Sequence, residues 1–130
     1  MLITIDTSAL VAVVTYEPSR DRALAVTAGH SLIAPNSVHW EMGNAFSAMI
    51  KRGRATLTQA TDCLDAYAEV PIKLVDVNLK RALALVEKHR IYAYDAYLLV
   101  CAMQSNSPLL TLDKPLQRVA DSLAIQVLEV

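Results

Sequence analysis

The sequence predicts an α/β protein, a three-layer α/β/α sandwich with a central parallel five-stranded sheet. Short, mostly apolar segments alternate with longer segments whose apolar residues recur every three or four positions. Strands that alternate with helices in this way form a parallel sheet that helices cover on both faces. The 130 residues are 54% apolar and include only three glycines, which favours a dense core. We therefore expect one domain spanning residues 1–130.

The first strand is predicted at residues 2–5, an apolar and β-branched run that ends abruptly at the carboxylate of Asp6. Thr7 and Ser8 follow it and are predicted to cap a helix that continues through Val14. Asp6 then lies where a strand ends and a helix begins. Open α/β sheets bind their ligands at such positions.

Helical periodicity and end signals predict the remaining elements. Helices are expected at 21–28, 37–52, 94–104 and 115–122, and two more begin after the caps Thr56 and Asn78. Strands are expected at 31–34, 72–77, 109–112 and 125–128. On the helix after Asn78, the predicted buried stripe consists of Leu79, Ala82, Leu83 and Val86.

Four acidic residues stand at element ends or on a polar helix face, where burial in a core does not explain them: Asp6, Glu41, Asp95 and Asp113. Taken singly, each has a structural explanation. Asp95 complements the positive end of its helix, Asp113 suits a turn, and Glu41 can pair with a nearby basic side chain. Their conjunction is more informative, because the carboxyl ends of parallel strands share one edge of the sheet.

Gathered carboxylates need a compensating charge. Two carboxylates about 4 Å apart repel each other by about 4 kcal/mol at an effective dielectric constant near 20. A divalent cation removes this cost, and all-oxygen ligation suits Mg²⁺ or Mn²⁺. The chemistry that fits such a site is metal-assisted hydrolysis of a phosphodiester.

Four segments that contain these acids carry a family resemblance. They are Asp6-Thr7-Ser8, Glu41-x-x-Asn44, Tyr94-Asp95-Ala96-Tyr97-x-x-x-x-Ala102 and Leu110-Thr111-x-Asp113. Together they resemble the signature blocks of the PIN-domain nucleases. The short single-domain length is similar to that of the VapC-type toxins of toxin–antitoxin pairs.

The resemblance implies an endoribonuclease that depends on Mg²⁺ or Mn²⁺, a homodimer, and inhibition by a small VapB-like antitoxin that enters the acidic groove. It also implies residue roles. Asp6, Asp95 and Asp113 would hold the metal, and Glu41 would bind it directly or through water. The implied supporting residues are Ser8 and Thr111, which would bond the ligands, and Asn44, which would orient Glu41 or the scissile phosphate.

Other functions fit parts of the sequence. A receiver-like domain that accepts a phosphoryl group on one acid, and a catalytically inactive PIN-like module that only binds a protein, remain alternatives. His39-Trp40-Glu41 has the H-x-E form of a zinc deaminase, but no Pro-Cys-x-x-Cys follows it. With Gly only at 29, 43 and 53, no glycine-rich phosphate-binding loop is possible.

Charge and hydropathy bear on partners and location. The net charge of −1 does not by itself indicate a nucleic-acid partner, but four acids gathered in one site would leave nine acidic against 12 basic residues elsewhere. The basic segment 51–54 suits either an RNA backbone or a helix end. No leader precedes the first strand and the longest apolar runs are too short to span a membrane, so we expect a soluble, cytoplasmic protein.

Overall fold

The computed structural model describes residues 1–130 as four parallel strands and seven helices. In chain order these are β1 (Leu2–Ile5), α1 (Thr7–Val14), α2 (Arg20–Thr27), β2 (Ser31–Pro35), α3 (Ser37–Lys51), α4 (Leu57–Ala68), β3 (Ile72–Val75), α5 (Leu79–His89), α6 (Ala93–Ser105), β4 (Leu109–Leu110) and α7 (Lys114–Ser122). The α/β class predicted from the sequence is confirmed. No helix has the length and apolar content needed to cross a membrane.

The sheet has the strand order β3-β2-β1-β4, and every neighbouring pair is parallel. β1 is therefore central, and its residue Thr4 pairs with Ile33 of β2 and Leu109 of β4. Because all the strands run the same way, their carboxyl ends lie along one edge of the sheet. We call this the carboxyl edge.

The prediction of a five-stranded sheet is wrong by one strand. The segment predicted as the closing strand, 125–128, forms a single parallel bridge between Val127 and Leu109. Two hydrogen bonds flank the bridge, from Leu109 N to Gln126 O at 2.8 Å and from Leu128 N to Leu109 O at 2.9 Å. β4 is only two residues long, and a strand this short offers a fifth strand one pairing position.

The buried core lies where the helices cover β1. Thr4 faces α6, since its hydroxyl contacts the Sγ atom of Cys101 and lies 2.7 Å from the hydroxyl of Ser107. Ile3 and Ile5 alternate with Thr4 and therefore face the opposite side of the sheet. Both are buried in the main apolar cluster.

The predicted buried stripe of α5 is partly wrong. Leu79 and Leu83 are 61% and 62% exposed, whereas Ala82 is fully buried. Ala82 belongs to a small cluster with Ala96 and Val100 of α6. α5 thus packs on α6 through a small side chain, and this close contact leaves the larger leucines outside.

The capping box predicted at Thr56 is confirmed. The amide N–H of Gln59 donates to the Thr56 hydroxyl at 3.1 Å, and the amide N–H of Thr56 donates to the Gln59 side-chain oxygen at 3.0 Å. Asn78 likewise accepts from the amide of Arg81, as expected for the cap of α5. These two helices begin where local sequence signals alone place them.

We predict that Thr4→Val destabilises the protein by about 1–3 kcal/mol, because it leaves the buried hydroxyl of Ser107 without its partner. The double variant Thr4→Val/Ser107→Ala removes both polar groups and should recover most of that loss. Urea denaturation of the three proteins measures the difference. Equal stability of the single and double variants would show that the hydroxyl pair does not hold β1 to the α6–β4 loop.

Candidate active site at the carboxyl edge

Asp6 is the most enclosed of the four predicted acids, with 4% of its surface exposed. It is itself the N-cap of α1, so the prediction that Thr7 or Ser8 caps this helix is wrong. Its Oδ1 accepts from the Ala9 amide at 3.0 Å and from the Ser8 hydroxyl at 2.7 Å. Its Oδ2 accepts from the Thr111 hydroxyl. The carboxylate thus ties the end of β1 to the start of α1 and to the segment after β4.

Ser8 and Thr111 hold the neighbouring loop as well as Asp6. The Ser8 oxygen accepts from the Leu112 amide at 2.9 Å, and the Thr111 hydroxyl oxygen accepts from the Asp113 amide at 3.0 Å. Asp113 then caps α7 through its Oδ1, which accepts from the Leu116 amide at 3.0 Å. The path of the chain from Thr111 to Asp113 is therefore fixed by hydrogen bonds that converge on Asp6.

Glu41 and Asp95 reach the same region from two helices. Glu41 is half-buried on α3, and its Oε2 accepts from the hydroxyl of Thr7 at 3.2 Å. Asp95 is half-buried in the first turn of α6. Asn44 is exposed, and the hydrogen bond to Glu41 comes from Thr7 instead. Sequence reasoning missed this role of Thr7, because it depends on the packing of α1 against α3.

The four carboxylates influence one another electrostatically. Burial is the largest cause of the raised pKa of Asp6, and the charge of Asp113 adds to it. The hydrogen bonds that Asp6 accepts lower the pKa but do not cancel these effects. Burial also raises the pKa of Glu41, with smaller contributions from the charges of Asp6 and Asp95. The pKa of Asp95 is raised by burial and then by Asp113. Electrostatic influence thus links Asp6 with Asp113 and Glu41, and Asp95 with Glu41 and Asp113.

Their negative charge has no cationic partner in the protein. The structure contains one ion pair, between Arg20 and Asp21 on α2, and none to the four acids. No three His, Cys, Asp or Glu side chains close together into a metal-binding group. An all-carboxylate donor set without ammonium or guanidinium groups fits Mg²⁺ or Mn²⁺.

The basic segment 51–54 does not border this site. It follows α3 at the end opposite Glu41, about 15 Å away along the helix axis. Gly53 has a φ of 70°, and the amide of Arg54 donates to Met49 O at 2.8 Å. This geometry favours the interpretation of the segment as a helix end.

Comparison with known proteins decides the family. The family model described as the PIN domain matches residues 3–122, which include all four acids. The chain belongs to the PIN domain family. No curated protein sequence matches it.

Solved structures share this PIN fold. PAE2754 from Pyrobaculum aerophilum is 22% identical, with a TM-score of 0.71 over 91% of this chain and 86% of that one. VapBC2 from Rickettsia felis, solved with a promoter DNA fragment, is 18% identical, with a TM-score of 0.68 over 99% and 98%. VapC20 from Mycobacterium tuberculosis, described as a Sarcin-Ricin loop cleaving toxin, is 12% identical, with a TM-score of 0.63 over 90% and 94%. At these sequence identities, the similarity to the three structures shows a shared fold.

We predict that the stability of the metal-free protein falls as pH rises above about 4, because Asp6 has a higher pKa when folded than when unfolded. Between the pKa of Asp6 in the unfolded state and its pKa in the folded state, the folded protein binds more protons. The resulting stabilisation is complete below the unfolded-state pKa and is lost as pH rises through the folded-state pKa. Asp6→Asn removes this contribution. Its stability relative to the wild type should therefore increase as pH rises above about 4.

Urea denaturation in chelator, repeated across that pH range, measures the effect. Asp65→Asn makes the same charge change at an exposed position of α4 and serves as the control. Parallel pH curves for the wild type and Asp6→Asn would contradict the prediction.

Proposed function

We propose that this PIN domain is an endoribonuclease that uses Mg²⁺ or Mn²⁺ to hydrolyse RNA phosphodiester bonds. Members of the family are typically nucleases, which supports the general class of reaction. The observation that carries the proposal is the set of four mutually interacting carboxylates without a cationic partner. Such a set is costly unless a cation from solution joins it.

In this proposal the cation is held by the four acids Asp6, Glu41, Asp95 and Asp113. A divalent cation bound there supplies Lewis acidity toward a phosphodiester. The protein supplies the alignment of the ligands. Ser8 and Thr111 orient both oxygens of Asp6, and Thr7 holds one oxygen of Glu41. Asn44 lies one helical turn after Glu41 and is exposed, so its amide is placed to contact a substrate phosphate.

The proposal includes a biological role as the toxin of a toxin–antitoxin pair, acting in the cytoplasm. The fold shared with VapC20, a Sarcin-Ricin loop cleaving toxin, and with VapBC2 supports this role. The apolar surface offers room for a small VapB-like antitoxin. One groove is lined by Leu64, Tyr67 and the 70% exposed Trp40. A contiguous exposed apolar surface of this kind is typical of a protein interface.

A homodimer is also part of the proposal. Leu79 and Leu83 of α5 are exposed, as is Tyr92 just before α6. Tyr92 is 83% exposed, so its ring is free to pack against a second copy. We infer that the exposed surface at Leu83 and Tyr92 packs against a second copy.

We predict that the purified chain cleaves RNA only with Mg²⁺ or Mn²⁺ present, and that Asp6→Asn or Asp95→Asn lowers the rate by at least about 100-fold. Gel analysis of end-labelled RNA, with and without chelator, measures cleavage. Asp65→Asn is the matched control and should cleave like the wild type. Cleavage that survives in Asp6→Asn would remove the basis of the mechanism. A wild-type protein inactive with both metals would favour the protein-binding module.

Metal binding has a thermodynamic test that does not need activity. At a concentration 100 times its Kd, Mg²⁺ should stabilise the wild type by about 2.7 kcal/mol. Asp6→Asn should respond much less, because it removes a ligand, whereas Asp65→Asn should respond fully. Thermal unfolding across a Mg²⁺ titration measures the shift. Equal responses of all three proteins would show that Asp6 does not share a cation with the other acids.

A further inference from the structure

A second polar feature of the carboxyl edge is a cavity of about 430 Å³ beside the acids. It opens where β2 and β3 end, between the starts of α3 and α5 and the side of α6. Its volume lies in the range of about 300–1,000 Å³ that is typical of small-molecule pockets. The site described above uses none of its lining residues.

Two helices place this cavity next to the acids. Ser37 lines it and lies one turn before Glu41 on the same face of α3. Tyr97 also lines it and follows Asp95 by two residues in α6. A helical turn rises about 5.4 Å, so α3 brings the cavity within about one turn of the Glu41 carboxylate, whereas Tyr97 lies about 200° around α6 from Asp95. A nucleotide whose phosphate lies at the acids can therefore extend its base into the cavity.

The lining has the chemistry of a base-binding pocket. The Oγ atom of Ser37 is buried and has no hydrogen-bond partner in the protein. Buried hydroxyls are nearly always paired, so the hydrogen-bonding capacity of this one is unused within the protein. The Tyr97 ring, held edge-to-face by Tyr94 with centroids 5.8 Å apart, offers an aromatic wall, and Leu79 adds apolar surface. Unpaired RNA bases are recognised by stacking on aromatic rings and by hydrogen bonds along their edges.

Asp76 supplies the selective contact. The side-chain amide of Asn36 donates to its Oδ1 at 2.5 Å, which fixes the carboxylate at the mouth of the cavity. A carboxylate accepts hydrogen bonds and cannot donate them when ionised. Guanine presents two adjacent donors on its Watson–Crick edge, the N1–H and the N2 amino group. Adenine, cytosine and uracil place an acceptor beside their donor, which a carboxylate repels.

We propose that this cavity is a base subsite that selects guanine in the nucleotide next to the cleaved bond, with Asp76 as the specificity-determining residue. The inference rests on the proposed ribonuclease function. It goes further by assigning a sequence preference and the residues that produce it. Ser37 donates to or accepts from the same base, and Tyr97 stacks on its ring.

The test compares cleavage sites in RNA of random sequence for the wild type and for Asp76→Asn, with Asp65→Asn as the control of equal charge. The wild type and the control should favour guanine at one fixed position relative to the cut. The preference should be between about 5-fold and about 150-fold, the range for one good bidentate base contact. Asp76→Asn should lose it, because its amide places a donor against the donors of guanine.

A change in the RNA provides the second arm. Inosine lacks the N2 amino group. Replacing guanosine by inosine at that position should therefore weaken RNA binding by the wild type in the presence of chelator, and it should slow metal-dependent cleavage by the wild type. It should have little effect on Asp76→Asn. Fluorescence anisotropy of a labelled oligonucleotide reports binding without activity.

The outcomes separate the two proposals. RNA cleavage without a guanine preference, or with a preference that Asp76→Asn retains, overturns the base subsite and leaves the ribonuclease intact. If the wild type does not cleave RNA with either metal, the proposed function fails and this inference fails with it. Loss of the preference in Asp76→Asn together with the inosine effect supports the subsite.

Discussion

The burial of the Asp6 carboxylate at the end of the central strand is the constraint on which the candidate site depends. Asp6 loses almost all contact with solvent and receives hydrogen bonds only from neutral groups: the amide of Ala9 and the hydroxyls of Ser8 and Thr111. These bonds join β1, α1 and the segment after β4 at one point. They offset part of the desolvation cost, but the pKa of Asp6 is still raised. A buried carboxylate whose pKa is raised in this way is typical of functional sites.

The topology explains why the other acids gather around Asp6. β1 is central, and the chain leaves β4 toward Asp113 at the same edge where it leaves β1 toward Asp6. Glu41 lies in the second turn of α3, and Asp95 lies in the first turn of α6. The same edge continues past β2 and β3 into the cavity at Asp76, so the proposed cation site and the proposed base subsite share one edge of the sheet.

Sequence reasoning predicted features that local chemistry determines. Thr56 and Asn78 cap helices through side chains three residues from their partners, so the signal and its cause lie together in the chain. It also placed Asp6 and Asp113, which follow β1 and β4, at one edge, because strand ends in a parallel sheet share an edge. It failed where distant packing decides. The bond from Thr7 to Glu41 requires α1 to pack on α3. Leu79 and Leu83 fit a helical stripe, but α5 has only α6 beside it.

The central claim is that the four carboxylates share a divalent cation. Crystals soaked in Mn²⁺ and measured for anomalous scattering test it most directly, because the signal locates the metal and its ligands without relying on activity. The account predicts a peak within about 2.5 Å of carboxylate oxygens from at least three of Asp6, Glu41, Asp95 and Asp113. Absence of a peak at this edge after saturating soaks, or a peak held by only one of these acids, would contradict it.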